Sequence, residues 1–414
     1  MNIADFRIEA ALAIFILTYA ALAVGRLPYN KVDRPAAAMI GAVAMLLFGA
    51  LSERQALRAI DFPTISLLFG MMVIVANLRL CGAFTWLARR VLERRVSPFW
   101  MLALVVALSG ALAAFFINDV VCLVLTPVVI EAAVESEVNP VPLLLGLATA
   151  SNIGSAATVT GNPQNMIVAN FANLTYTNFI FHLAPAAVLG LLAAFGVVAL
   201  VYRRELTACD ISCGTGKKKT RLRVCKALAL KASLVSLAAI ACFALGFPTS
   251  LVALSAAAAM LLVGHLRPER IYQEVDWPLL LMFVGLFVVV AGAQNTGFQN
   301  SLARLVGVER LSNPITLAAL ITVLSNALSN VPAVLFFKPL FHLLGNPTSA
   351  GLLLASVSTY AGNLTVMGSI ANLIVVENAR RRGIGIGFFE YMRVGVPITL
   401  LTTSINLAWL SVFR

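Results

Sequence analysis

ASNIGSAATVTGNPQN, residues 150–165, interrupts an apolar run that extends from 143 to 171, and YAGNLTVMGSIAN, residues 360–372, interrupts another from 350 to 376. Each run is long enough to cross a bilayer, whose hydrocarbon core of about 30 Å needs roughly 20 apolar residues in a helix. Glycine, proline and asparagine at the middle of such a run do not suit a continuous helix facing lipid. Backbone that leaves the helix inside a membrane is tolerated only where protein or a water-filled cavity surrounds it. The two stretches therefore predict helices broken at mid-membrane.

Composition agrees. The chain has 414 residues, 60% hydrophobic and 12% charged, with a mean hydropathy of +0.92, against roughly 25% charged residues in a soluble domain. A water-soluble fold is excluded, because the charged residues cluster between apolar runs and cannot cover an exterior. The net charge of +12 does not point to nucleic acid, since the Lys and Arg sit at the ends of apolar segments. The six cysteines are too scattered for a disulfide framework and read as free thiols; Cys209, Cys213 and Cys225 share a loop without a partner histidine, so no metal site is expected. His182, His265 and His342 fall near span ends, without metal-ligand spacing. The first apolar run lacks a small-residue cleavage site behind it and reads as a retained span. No G-x-x-x-x-G-K-[ST] run supports ATP-driven chemistry.

Ten spans are expected, at 8–24, 35–51, 62–80, 143–171, 183–202, 227–245, 248–266, 277–295, 350–376 and 394–413. Two further apolar stretches, 98–135 and 313–343, carry polar residues at their centres and read as hairpins that enter and leave on one side. The halves repeat: Asp61 aligns with Asp276, Asn118 with Asn330, Asn152 with Asn363, and Gly161 with Gly368. The expected fold is thus an all-α polytopic membrane protein of two repeats, residues 1–202 and 227–414, joined by a basic linker, 203–226. Five spans per half make the second repeat inverted relative to the first. With the N-terminus outside, 23 of the 30 basic residues fall in cytoplasmic segments, as the positive-inside rule requires. Residues 84–95, FTWLARRVLERR, are amphipathic and read as an arm lying flat on the cytoplasmic surface.

Four polar clusters are placed at membrane depth: Asn118-Asp119, Ser151 to Asn165, Ser329-Asn330, and Gly362 to Asn372. Half-helix N-termini there would offer N–H groups to an anion, while unwound carbonyls and side-chain oxygens could hold sodium or a proton. The plainer reading makes Asn118-Asp119 and Ser329-Asn330 helix N-caps; their occurrence in two matched copies favours binding. Asp119 is the most informative residue, since a carboxylate in the membrane is costly, and its repeat partner is Val331. Asp61 and Asp276 read as N-caps, Lys338 as a snorkelling side chain, and Glu131 and Glu135 as solvated.

These motifs, with the tips FFINDVV at 115–121 and LSNALSNVPAV at 324–334, resemble those of the ion transporter superfamily, which includes arsenite permeases, divalent-anion symporters, citrate-type permeases and sodium/proton antiporters. The wording is closest to bacterial arsenite-permease-like anion permeases. The resemblance implies scaffold and transport domains, a homodimer, an elevator-like motion, and substrate and sodium held between the tips and the broken helices. Both tip asparagines match the Ser-Asn-Thr tips of dicarboxylate symporters, but Asp119 and Val331 replace the threonines, which argues for another anion or for proton coupling. The expected function is an ion-gradient-coupled secondary transporter of the inner membrane, not an enzyme, that moves a small inorganic or organic anion, with a sodium/proton antiporter as the alternative. Substrate is expected at Asn118, Asn152, Asn162, Asn330, Asn363, Thr365 and Gly161. Coupling to Na+ or H+, the only cofactors expected, is assigned to Asp119, Ser151, Gly154, Ser329, Gly362 and Ser369.

Overall fold

The computed structural model describes residues 3–24, 32–92, 97–207, 226–263, 266–295, 307, 311, 313–344 and 346–413. All regular structure among them is helical. Seven of these helices are long and apolar enough to cross a membrane: Phe6–Val24, Phe62–Leu80, Pro98–Phe115, Tyr176–Val201, Ala227–Ala244, Trp277–Asn295 and Phe388–Ser411. Large apolar side chains such as Leu47, Leu262 and Phe389 stand outward on such helices, as a lipid environment allows.

Six of the seven fall on expected spans. The seventh, Pro98–Phe115, is the first arm of the first hairpin, longer than a short arm because its apolar run continues unbroken to the Phe116-Ile117 turn. Eighteen residues at 1.5 Å each give about 27 Å, the thickness of a hydrocarbon core. The stretches expected at 35–51 and 248–266 form shorter helices, Arg34–Leu47 and Thr249–Val263. The arm is the helix Ala83–Leu92. Cys209, Cys213, Cys225 and His265 lie outside the described residues, as does most of the basic linker.

Both broken helices are present, and both begin alike. Asn139 caps Pro140–Ser155 by accepting from Val141 N at 3.0 Å, and Asn346 caps Pro347–Ala361 by accepting from Thr348 N at 3.0 Å. In each, proline fills the first turn, where its missing N–H costs nothing. The helices then give way to 3-10 turns, Val159–Gly161 and Val366–Gly368, and resume as Pro163–Phe171 and Ile370–Arg380.

The halves also touch reciprocally. A Cβ added at Gly70 would lie 2.6 Å from the carbonyl carbon of Ala253, and one added at Gly285 would lie 2.7 Å from that of Ala38. Gly70 and Gly285 are 215 positions apart, as are Ala38 and Ala253, so the two close approaches are equivalent under one sequence offset. Only glycine permits such an approach.

The apolar interior forms two clusters. One packs the Phe62–Leu80 and Trp277–Asn295 helices with the second hairpin; the other packs the first hairpin with Tyr360, Tyr391 and Ile398. The first broken helix passes from one cluster to the other between Ala157 and Val159, and the second between Val357 and Tyr360. The breaks thus lie where the two apolar cores meet.

Candidate functional site

Asn152, in the last turn of Pro140–Ser155, is fully buried and stands at the centre of this boundary. Its oxygen accepts from Asn118 Nδ2 at 2.9 Å and from Ser369 Oγ at 3.0 Å. Its nitrogen donates to Asn363 Oδ1 at 2.8 Å and Asn372 Oδ1 at 3.0 Å. One amide thereby joins the first hairpin, both broken helices and both halves. Inside a low-dielectric interior such bonds are strong, and an unpaired member is costly.

Asn118 opens the return arm Asn118–Glu135 but makes no cap; the N-cap position belongs to Ile117, and no side chain bonds the helix end. Its amide reaches sideways to Asn152 instead, so the capping reading fails here. Ser329, between the arms Pro314–Leu328 and Asn330–Phe337, also makes no side-chain cap. It holds φ 78° and ψ 158°, a region that almost only glycine occupies.

A second polar group surrounds Thr359. Asn162 Nδ2 donates to Thr359 Oγ1 at 3.1 Å and to Ser155 Oγ at 3.0 Å, and Gln164 Nε2 donates to the same threonine at 3.1 Å. Asn330 joins it: with its nitrogen toward Ser358 O (3.0 Å) and Gly368 O (3.3 Å), its oxygen accepts from Gln164 Nε2 at 3.1 Å.

Each break is bridged by its own asparagine. Asn165 Nδ2 donates to Ser155 O (3.0 Å) and Thr158 O (2.8 Å), while Asn372 Nδ2 donates to Gly362 O (2.7 Å) and Thr365 O (3.2 Å). These partners are 207 positions apart in all three cases. The halves differ nearby: Thr158 Oγ1 donates to the Ala114 carbonyl, whereas Thr365 Oγ1 meets the side chain of Asn326 at 3.2 Å.

The remaining candidates separate by role. A Cβ at Gly154 would lie 2.1 Å from Gly110 O, and one at Gly161 would lie 2.2 Å from Ser155 O; these glycines let the broken helix close on the hairpin and on itself. Gly362 packs below Asn330 and Ser369. Ser151 Oγ is engaged by Ala148 O and Cys122 Sγ, both at 2.9 Å.

Asp119 follows Asn118 in the first turn of the return arm and lines a cavity of about 60 Å³ with Arg79, Glu274 and Asp276. Arg79 and Glu274 form an ion pair across this cavity. Asp276 caps its helix by accepting from Leu279 N at 3.0 Å, and Asp61 likewise accepts from Thr64 N at 3.1 Å. Glu131 is not simply solvated: Arg89 Nη2 donates to it at 2.7 Å, tying arm to hairpin. Lys338 Nζ lies 5.2 Å from the Phe287 ring centroid, a cation–π contact in place of a free snorkelling chain.

Asn372, Gln164 and Thr359 were not singled out from sequence as site residues. A signal existed for Asn372, which aligns with Asn165, and for Ser356, Ser358 and Thr359, which are polar positions in the otherwise apolar run 350–361.

Apolar spans around two broken helices and two hairpins, with buried neutral amides at their meeting point, define a multi-pass membrane transporter of the secondary type. The chain belongs to the citrate transporter family, whose pattern matches residues 13–342. It is 30% identical to the silicon efflux transporter LSI3 of Oryza sativa subsp. japonica, over 92% of this chain and 93% of that one. It is 25% identical to the putative transporter arsB of Dictyostelium discoideum, over 95% and 89%. Among solved structures, the YdaH transporter of Alcanivorax borkumensis has the same fold, with a TM-score of 0.59 and 13% identity over 100% of this chain and 97% of that one.

Proposed function

We propose that the protein is an ion-gradient-coupled transporter of a bacterial inner membrane that moves a small anion or oxyanion by elevator-like alternating access. The observation that carries this reading is the placement of Asp119, which directly follows Asn118 of the buried amide cluster and lines a small cavity with Arg79, Glu274 and Asp276. A carboxylate at membrane depth is costly. A proton or sodium ion that neutralises Asp119 removes the charge that repels an incoming anion. Binding of the two solutes becomes cooperative without a mobile cofactor.

The anion then lies against Asn118, Asn152, Asn363 and Ser369, with Asn330 of the second tip and Asn162 and Thr365 of the broken helices completing the set. Gly161 and Gly362 keep the half-helices close. Repeats of opposite orientation, an external N-terminus, a cytoplasmic basic linker and a homodimer belong to the same proposal; the charge distribution supports the first three, and the resemblance supports the last. Because relatives are named for silicon efflux and arsB, silicic acid and arsenite stand beside carboxylates as candidate solutes.

The test is the transient current of purified protein in proteoliposomes on a solid-supported membrane. Sodium or pH jumps are applied with and without arsenite, silicic acid, citrate, succinate, sulfate and phosphate. A current that requires one of these solutes supports the reading. The second reading, a sodium/proton antiporter, is favoured by the way the amides already saturate one another, leaving Asp119 as the charged residue of the two tips. A current from the cation or pH jump alone, indifferent to every added solute, overturns the anion reading in its favour.

A further inference from the structure

An apolar cavity lies away from the amide site. It has a volume of about 780 Å³ and runs between the arm, the first hairpin and the helix Lys226–Ala244. Trp86 and Leu87 of the arm, Leu112 and Phe116 of the hairpin, and Leu230 and Leu237 of the helix form its walls. Ser236 also lines it, but its hydroxyl is spent on Ala232 O at 2.8 Å. Water in such a space would find few partners, so the natural occupant is a hydrocarbon chain.

The arm supplies the polar end. Ala83, Trp86, Leu87 and Arg90 follow one another at i, i+3, i+4 and i+7, so they share one helix face. Arg90 is exposed and continues the cavity-lining face at its basic end. Four of the seven residues from Arg89 to Arg95 are arginines in the sequence. Arg89 is directed elsewhere, to Glu131. Trp86, 52% exposed, has the amphipathic ring that favours the membrane interface.

We infer that this groove binds an anionic phospholipid, with an acyl chain between arm and hairpin and its phosphate against Arg90. The site touches the transport machinery. Phe116 packs edge-on against Phe84, ring centroids 5.2 Å apart, and stands two residues before Asn118. An acyl chain here supports the back of the first hairpin tip. The inference holds whichever solute is carried.

The experiment uses full-length protein with Trp86 as its only tryptophan (W100F, W277F, W409F), reconstituted in phosphatidylcholine vesicles. A minor fraction of the lipid is brominated, either phosphatidylglycerol or phosphatidylcholine. Fluorescence quenching at equal mole fraction reports which lipid occupies the groove. One arginine near the membrane surface gives about a fivefold preference for an anionic headgroup, so brominated phosphatidylglycerol should quench at about one-fifth the mole fraction. R90Q should abolish the difference, and S233F, which puts a phenyl ring into the cavity that Ser233 lines, should do the same with Arg90 in place. Equal quenching by both lipids overturns the inference, and so does a preference that survives R90Q, because attraction by the remaining arginines would then be sufficient. Native mass spectrometry of the protein with all four tryptophans, in an equimolar mixture of the two lipids, gives an independent reading. Retention of phosphatidylglycerol that is lost in R90Q is expected, and equal retention of both lipids refutes the site.

Discussion

Replacing Asn152 by alanine removes the amide at which four buried groups meet. Asn118 loses the acceptor of its Nδ2, Ser369 that of its hydroxyl, and Asn363 and Asn372 the donor to their oxygens. The nitrogens of the last two keep their bonds to Thr149 O, Gly362 O and Thr365 O. Each orphaned buried group costs about 1–3 kcal/mol. Four at the low end give about 4 kcal/mol, and a water admitted to the vacated volume returns roughly 1 kcal/mol, so a net loss of about 3 kcal/mol is expected. Asn118→Ala leaves the Asn152 oxygen still accepting from Ser369 and should cost about 1 kcal/mol. Asn152→Asp separates hydrogen bonding from volume: it keeps the oxygen that accepts from Asn118 and Ser369 but sets a carboxylate against two amide oxygens, and should be at least as damaging as alanine. The assay is the thermal midpoint in one detergent at one scan rate, because membrane proteins unfold irreversibly and only matched conditions compare. Equal shifts for Asn152→Ala and Asn118→Ala would refute the idea that Asn152 is the shared node, as would an Asn152→Asp variant as stable as the parent.

Other outcomes follow from single contacts. Asp119→Asn should retain folding and abolish coupled current, and the residual current should no longer depend on pH; a parental rate and pH profile would remove Asp119 from the coupling role. Gly154→Ala must place a methyl 2.1 Å from Gly110 O and should abolish folded yield, whereas Gly196→Ala, with nothing within 4 Å, should be neutral or stabilising by about 0.5–1 kcal/mol. Ser329→Gly should relieve about 1–3 kcal/mol of backbone strain and raise the thermal midpoint. If transport falls as stability rises, the strained tip belongs to the mechanism; an unchanged midpoint would show that no strain is held there.

The architecture was legible because a bilayer restricts what polar residues can do. Gly-Asn-Pro at 161–163 and Gly-Ser at 368–369 could break a membrane helix only inside protein, and both breaks lie where the two apolar cores meet. The Asp-x-Pro starts at Asp61 and Asp276 declare their caps locally, so a short window suffices to read them. Lateral contacts were not legible. Asn118 has the sequence context of a cap yet bonds a residue 34 positions away, and Glu131 looks like surface until the arm folds back to place Arg89 beside it. Thr359 becomes a hub only because two donors from the other half converge on it. Such pairings depend on how helices pack, and helical periodicity records only which face is apolar.

Asn152 and Asn363 occupy the same place in their respective halves and are hydrogen-bonded to each other. The close approaches of Gly70 to Ala253 and of Gly285 to Ala38 are reciprocal in the same way. Because each asparagine is the other's partner, a change at either position is felt on both sides of one contact. Elsewhere the equivalent positions differ singly, Asp119 against Val331 and Asn326 against Ala114, so the charge and the extra amide each lie on one side only, while the central bond joins like to like.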